Sequence, residues 1–202
     1  MIRVQIYSMA FLDGFAIMAI QMLGGRLLAP WFGGSIYIWG SIISIFLIAL
    51  SLGYLVGGHL SMFKPNLRRY GLLFICSGLA LLPILYLSDY LMNITFLVTE
   101  DPRYGSLLAA MLLFFLPAFI MGMVSPYSIR LLVKSQAASG HTAGRLYFTS
   151  TLGSSLGTIG TAFYFVLYFE VNQILSTALL CLVIPGILCQ FSSWSPNEKT
   201  TT

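Results

Sequence analysis

The chain has 202 residues, 58% of them hydrophobic and only 8% charged, with a formal net charge of +4 and a mean hydropathy of +0.89. A soluble domain carries about 25% charged residues, so this composition excludes a water-soluble globular protein and asks for lipid as the main solvent. The small positive excess is no nucleic-acid surface, because the basic residues fall in short connections, where they set membrane orientation.

At about 20 apolar residues per crossing, the pattern predicts an all-α, polytopic bundle of six transmembrane helices. They cover residues 4–23, 35–60, 70–87, 105–133, 143–169 and 173–191, with a polar tail over 192–202. The first run follows Arg3 but has no small-residue cleavage site and is too long for a signal peptide, so it reads as a retained helix. Residues 21–41 hold Arg26, Pro30, four glycines before Ser35, and Trp31, Phe32, Tyr37 and Trp39. Gly and Pro are costly in a helix interior, and such aromatics suit the headgroup level. This stretch is expected to be the connection between the first two spans.

Residues 61–69 form a basic connection with Lys64, Arg68 and Arg69. Residues 89–104 read as a loop, with 90–98 lying on the surface. The fourth span is expected to bend at Pro117 and Pro126, and residues 134–142 are polar. No repeat appears at solenoid periods. With the N-terminus in the cytoplasm, eight basic residues (Arg3, Lys64, Arg68, Arg69, Arg130, Lys134, Arg145 and Lys199) fall inside and only Arg26 and Arg103 outside. That agrees with the positive-inside rule and places both termini in the cytoplasm.

Small residues four apart share a helix face and let backbones approach. Gly53 and Gly57 form such a pair on the second span, Gly153 and Gly157 on the fifth, with Ser and Thr around the latter. Packing within the chain is the simpler reading, and a dimer contact or polar cavity wall the other. Asp13 is the sharpest single residue. A mid-bilayer carboxylate costs about 2.5–3.5 kcal/mol to insert, so it should face the interior. It either binds a proton or a cationic substrate, or is neutral and hydrogen-bonded to a Ser or Thr. Gln21, two turns on, could share that interior. Arg26 is expected to anchor the outer end of the first helix, and Arg130 to reach the cytoplasmic interface by snorkelling. Cys76, Cys181 and Cys189 read as buried, inert thiols. His59 and His141 stand alone, with no metal-ligand spacing, no cofactor motif is present, and no nucleophile elbow or phosphate loop appears in a workable context.

Several short motifs, taken together, resemble a known family. They are Gly14-Phe15-Ala16, Met18-Ala19, Met22-Leu23, Arg26-Leu27-Leu28-Ala29-Pro30, Phe32-Gly33, Trp39-Gly40-Ser41, and Ser51-Leu52-Gly53-Tyr54 with Gly57-Gly58. Leu116-Pro117, Gly122-Met123-Val124-Ser125-Pro126-Tyr127 and Arg130-Leu131 continue the series. Gly144, Leu146-Tyr147, Ser150-Thr151-Leu152-Gly153-Ser154 and Gly157-Thr158 complete it. Over about residues 10–170 the chain resembles the membrane domain of bacterial membrane-bound spermidine synthase-like proteins, in which a major-facilitator-like region is fused to a synthase. The resemblance implies half of a major-facilitator fold in a bacterial inner membrane. Gln21 stands where the family carries Glu, and Met62-Phe63 follow Ser61 where an Asp-Arg pair is usual. The stretch after Phe191 is too short for a synthase domain, so no catalytic residue carries over. The implied function is a non-catalytic membrane subunit that anchors or organises a partner, possibly a spermidine synthase-like enzyme. A small dimeric transporter of polyamines or other cations is an alternative, and an accessory subunit of a larger membrane complex another.

Overall fold

A computed structural model describes residues 2–63, 65–133 and 139–191. Lys64, Lys134, Lys199 and the tail over 192–202 lie outside the described residues, as does part of the connection over 134–142. Among the described residues the chain is all helix. The helices are α1 (Ile2–Phe32), α2 (Ile36–Leu60), α3 (Leu67–Leu79), α4 (Leu82–Val98), α5 (Pro102–Gly122), α6 (Val124–Leu132), α7 (Ser139–Gly160), α8 (Val166–Tyr168) and α9 (Val171–Gln190). A π-helical turn, Thr161–Phe165, joins α7 to α8.

These helices make six rods. Five are long and apolar enough to cross a membrane: Ile2–Phe32, Ile36–Leu60, Leu67–Val98, Pro102–Leu132 and Val171–Gln190. The chain is thus a multi-pass helical membrane protein. The remaining rod begins with α7, whose 22 residues are long enough but dense in Gly, Ser and Thr.

Two expected boundaries are corrected. The connection predicted over 21–41 shrinks to residues 33–35, where Gly33 takes a positive φ of 83°. The helix persists because Gly24 and Gly25 are not free to bend: they face Phe114 and the Trp39 ring, which fill the space a side chain would need. Pro30 falls in the last turn of α1, so the hydrogen bond it removes lies at the helix end. The loop predicted over 89–104 is also largely helix, because Met92 and Thr95 are buried and Phe96 packs against Trp31 and Phe32. The third rod is interrupted at Ala80 and Leu81 instead, just ahead of Pro83 in the first turn of α4.

The fourth rod is interrupted at Met123. Pro126 has no N–H for the Gly122 carbonyl, and the Met123 N–H bonds back to Ile120 at 3.1 Å in a tightened turn. Pro117 is accommodated inside α5.

Three helix pairings hold the bundle: α1 with α7, α2 with α5, and α3 with α9. The first two have one design. Gly153 and Gly157 of α7 rest on the backbone of Phe11 and Phe15 in α1, and Gly14 rests on the Ser150 carbonyl. Gly53 and Gly57 of α2 rest on the backbone of Phe119 and Met123, and Gly122 on that of Leu50. The sets correspond position by position. Phe11, Gly14 and Phe15 each stand 108 residues before Phe119, Gly122 and Met123, while Leu50, Gly53 and Gly57 each stand 100 before Ser150, Gly153 and Gly157. The sequence keeps a trace of this. Ala10-Phe11-Leu12-Asp13-Gly14 matches Ala118-Phe119-Ile120-Met121-Gly122, and Ser51-Leu52-Gly53 matches Thr151-Leu152-Gly153.

The paired helices α1 and α7 run in the same direction, as do α2 and α5, since the touching residues ascend together. In the third pair, Gly71 and Gly186 rest on each other's carbonyls and Gly78 meets Val183, so α3 and α9 run antiparallel. With α1 and α2 reversed at residues 33–35, the first three rods and the last three form an inverted repeat, an architecture frequent in membrane transporters.

The crossings are backbone against backbone, so no side-chain movement relieves an added group. Gly53→Leu and Gly153→Leu should each destabilise the bundle by at least the ~1–3 kcal/mol of ordinary overpacking. Gly58→Ala should be silent, because nothing lies within 4 Å of its missing Cβ. Thermal unfolding in detergent checks both outcomes.

Candidate functional site

Asp13 lies on the buried face of α1, 1% exposed, with Ile6, Met9, Ala16 and Ile20 around it. Its Oδ1 receives no hydrogen bond among the described residues, so the expected Ser or Thr partner for that atom is not there. The nearby hydroxyl that does bond to this part of α1, Ser154, donates to the Gly14 carbonyl at 3.2 Å.

Tyr70 belongs to a set of polar groups that the sequence did not reveal. Its hydroxyl pairs with Ser128 Oγ of α6 at 2.8 Å, and Ser128 also donates to the Val124 carbonyl. The Tyr70 ring stacks on Tyr127, with centroids 6.0 Å apart and planes 16° from parallel. The Tyr127 hydroxyl accepts from the Asn66 N–H at 3.3 Å and lies 3.5 Å from the Asn66 carbonyl oxygen. Asn66 caps α3, accepting the Arg69 N–H at 2.7 Å. Two separate polar contacts, Tyr70 with Ser128 and Tyr127 with Asn66, are thus held side by side by the stacked rings. Tyr70 falls at the predicted start of a span, where an aromatic reads as a headgroup anchor, and Ser128 sits in a helix too short to show periodicity.

The other candidates separate from Asp13. Gln21 is buried at 9% exposure but lies two turns further along, about 12 Å by helical rise, so the two share no compact site. Arg26 is exposed, and its guanidinium donates to the Val166 carbonyl at 2.6 Å, next to the π-helical turn. Pro30 and Arg130 are exposed, and Pro117 is buried. Gly53, Gly57, Gly153 and Gly157 serve packing within the chain. Cys189 is buried, beside Gln5 and Met9, whereas Cys76 and Cys181 are exposed on the bundle surface, against expectation. His59 packs edge-on against Phe63. Among the described residues no three His, Cys, Asp or Glu side chains converge as a metal site.

A cleft of about 440 Å³ opens between α1 and the start of α7, lined by Tyr7, His141, Gly144, Arg145, Phe148 and Thr149. Its lining combines the Arg145 guanidinium with the Tyr7 and Thr149 hydroxyls, the His141 imidazole and the Phe148 ring.

Comparison with known families, characterised proteins and solved structures finds no match to this chain.

The Tyr70–Ser128 pair is buried, so Ser128→Ala strands the Tyr70 hydroxyl, while Tyr70→Phe takes a partner from Ser128, which keeps its bond to the Val124 carbonyl. Tyr70→Phe or Ser128→Ala alone should cost ~1–3 kcal/mol, and the double variant less than the sum of the two. A double-mutant cycle on unfolding in detergent measures this coupling.

Proposed function

We propose that this chain is a non-catalytic membrane unit that works by assembling with a protein partner in the bilayer. One observation carries the reading. α2 and α7, equivalent helices of the repeat, turn small residues outward at equivalent positions: Gly40, Ser44 and Ser51 on the first, Gly140, Gly144 and Thr151 on the second, with Ser155 extending the latter stripe. None of these glycines serves packing inside the chain, since nothing lies within 4 Å of a Cβ at Gly40, Gly140 or Gly144. Lipid places no demand for small residues on an outward face, whereas a second helix does, because small residues let backbones approach.

The basic residues support an orientation with both termini in the cytoplasm. With the family resemblance of the sequence, the setting is a bacterial inner membrane; the stripes fit a partner that brings a membrane helix of its own, and a spermidine synthase-like enzyme would be organised through such a subunit rather than on the stripes. A homodimer or a larger membrane complex would use the same outward stripes.

A second reading, a small transporter of polyamines or other cations, is favoured by Asp13. Ionisable side chains buried at membrane depth mark ion and proton pathways more often than architecture.

The test is isolation from native membranes with intact-mass analysis. A stoichiometric partner should elute with the chain, and Gly144→Leu with Thr151→Leu should release it while leaving thermal stability unchanged. Elution as a monomer in mild detergent, insensitive to these changes, would sink the assembly reading. Uptake of labelled polyamine into liposomes by the purified chain, lost in Asp13→Asn, would move the conclusion to transport.

A further inference from the structure

We propose that the cleft between α1 and the start of α7 binds a phosphate group, and that its occupant is the headgroup of an anionic phospholipid. The proposal goes beyond the assembly reading and does not rest on it.

The α1–α7 crossing sets the geometry. Phe11 and Phe15, which lie under Gly153 and Gly157, each stand 142 residues before them. The same offset pairs Tyr7 with Thr149, and both line the cleft. One turn nearer the helix starts it pairs Arg3 with Arg145, so an arginine from each helix stands level at the mouth. Close contact through glycine has ended here, since a Cβ at Gly144 would meet nothing within 4 Å. Ile6 and Leu146, next in sequence to the lining residues Tyr7 and Arg145, are buried in the core, so the cleft opens outward rather than into the bundle.

The charge at this end has no counterweight among the described residues. By the order of the rods, α1, α3 and α7 begin here and α2 and α6 end here. The charged residues on these termini are Arg3, Arg68, Arg69, Arg130 and Arg145, all basic, while Asp89, Glu100, Asp101 and Glu170 belong to the other end. Asp13, about 9 Å of helical rise beyond Tyr7, is 1% exposed and turned to the core.

The chemistry of the lining selects the ligand. A guanidinium offers a planar fork to two oxygens of a phosphate, and basic pockets between membrane helices at headgroup depth take anionic lipid headgroups. The half-buried Tyr7 hydroxyl adds a donor. The Thr149 hydroxyl already donates to the Arg145 carbonyl at 2.9 Å. Phe148 in the wall and Val4 beside Arg3, each 69% exposed, offer apolar surface along which acyl chains can lie. The volume of about 440 Å³ falls among small-molecule sites of about 300–1,000 Å³ and exceeds what a bare phosphate fills. A zwitterionic headgroup would bring its own cation against the arginines, so the fit is to one with net negative charge.

Titration of the full chain in mild detergent with phosphatidylglycerol, followed by native mass spectrometry and thermal unfolding, tests this. One phosphatidylglycerol should stay bound and raise the unfolding temperature, where phosphatidylcholine with the same acyl chains does not. Arg145→Gln should weaken binding about tenfold and Arg3→Gln about fivefold. Arg130→Gln, exposed at the same end but outside the cleft, should leave it unchanged. Both cleft arginines are exposed, so the lipid-free stability of their variants should match the wild type; should Arg145→Gln not fold, Arg3→Gln carries the comparison. Inorganic phosphate is the second titrant. Stabilisation by phosphate with none from phosphatidylglycerol overturns the lipid assignment in favour of a soluble phosphate ligand. Equal binding of the two lipids, or equal loss in Arg130→Gln and the cleft variants, overturns the site itself. The assembly reading is judged separately, by the protein mass that elutes with the chain.

Discussion

Backbone contact at glycine is the constraint from which the rest of this bundle follows. Lipid tails are as apolar as leucine, so helices gain nothing by hiding leucines from them, and association falls to close packing and a few polar contacts. Here Gly14, Gly53, Gly57, Gly122, Gly153 and Gly157 bring main chain onto main chain in two crossings of the same design. Gly71 and Gly186 do the same where α3 meets α9. Once these contacts are set, the faces of α1 are assigned. One carries Phe11 and Phe15 against α7, and the opposite one carries Asp13 into the interior. The carboxyl is buried because the glycines on a neighbouring face leave α1 no freedom to rotate it outward.

Much of this could be read in advance, and the misses have physical causes. Hydropathy identifies apolar rods well because the bilayer requires every backbone group to be satisfied within the helix. It says little about where a rod is interrupted. Gly24, Gly25 and Pro30 looked like punctuation because glycine and proline are costly in isolated helices. Within the bundle the glycines are filled from outside by Phe114 and Trp39, and the proline sits where its missing N–H does least harm. Asp89 looked like the edge of a loop, yet it lies on an exposed face of α4 while Met92 and Thr95 hold that helix to its neighbours. The glycine pairs at 53/57 and 153/157 were visible, but their partners were not, because a stripe of small residues does not say which helix lies on it.

The inverted repeat was also within reach of the sequence. Its trace is short: an Ala-Phe-x-x-Gly element in α1 and α5, and a Leu-Gly-x-x-x-Gly element in α2 and α7. Apart, each is common in membrane helices. They gain meaning only when the contacts show that the two elements meet each other, in both units, with the same carbonyls under the same glycines. The hydroxyl contacts of Tyr70 and Tyr127 were out of reach for a related reason. Tyr70, Tyr127 and Ser128 come from two helices 58 residues apart in sequence at the closest hydroxyl pair, and nothing in either local pattern predicts that they meet.

The repeat separates what the fold needs from what it carries. Positions that agree between the units, the glycines and the phenylalanine under Gly53 and under Gly153, are the architecture. Positions that disagree are free of that duty, so their chemistry has to be accounted for otherwise. An aspartate stands where the other unit has a methionine, and a serine where it has an isoleucine, and both are buried. Two units with the same crossings but different interior polarity also cannot respond alike to a change of charge at the centre. Asp13 adjoins the α1–α7 crossing at Gly14, whereas the matching α2–α5 crossing at Gly122 has Met121 in that place, so a carboxyl stands beside only one of the two crossings.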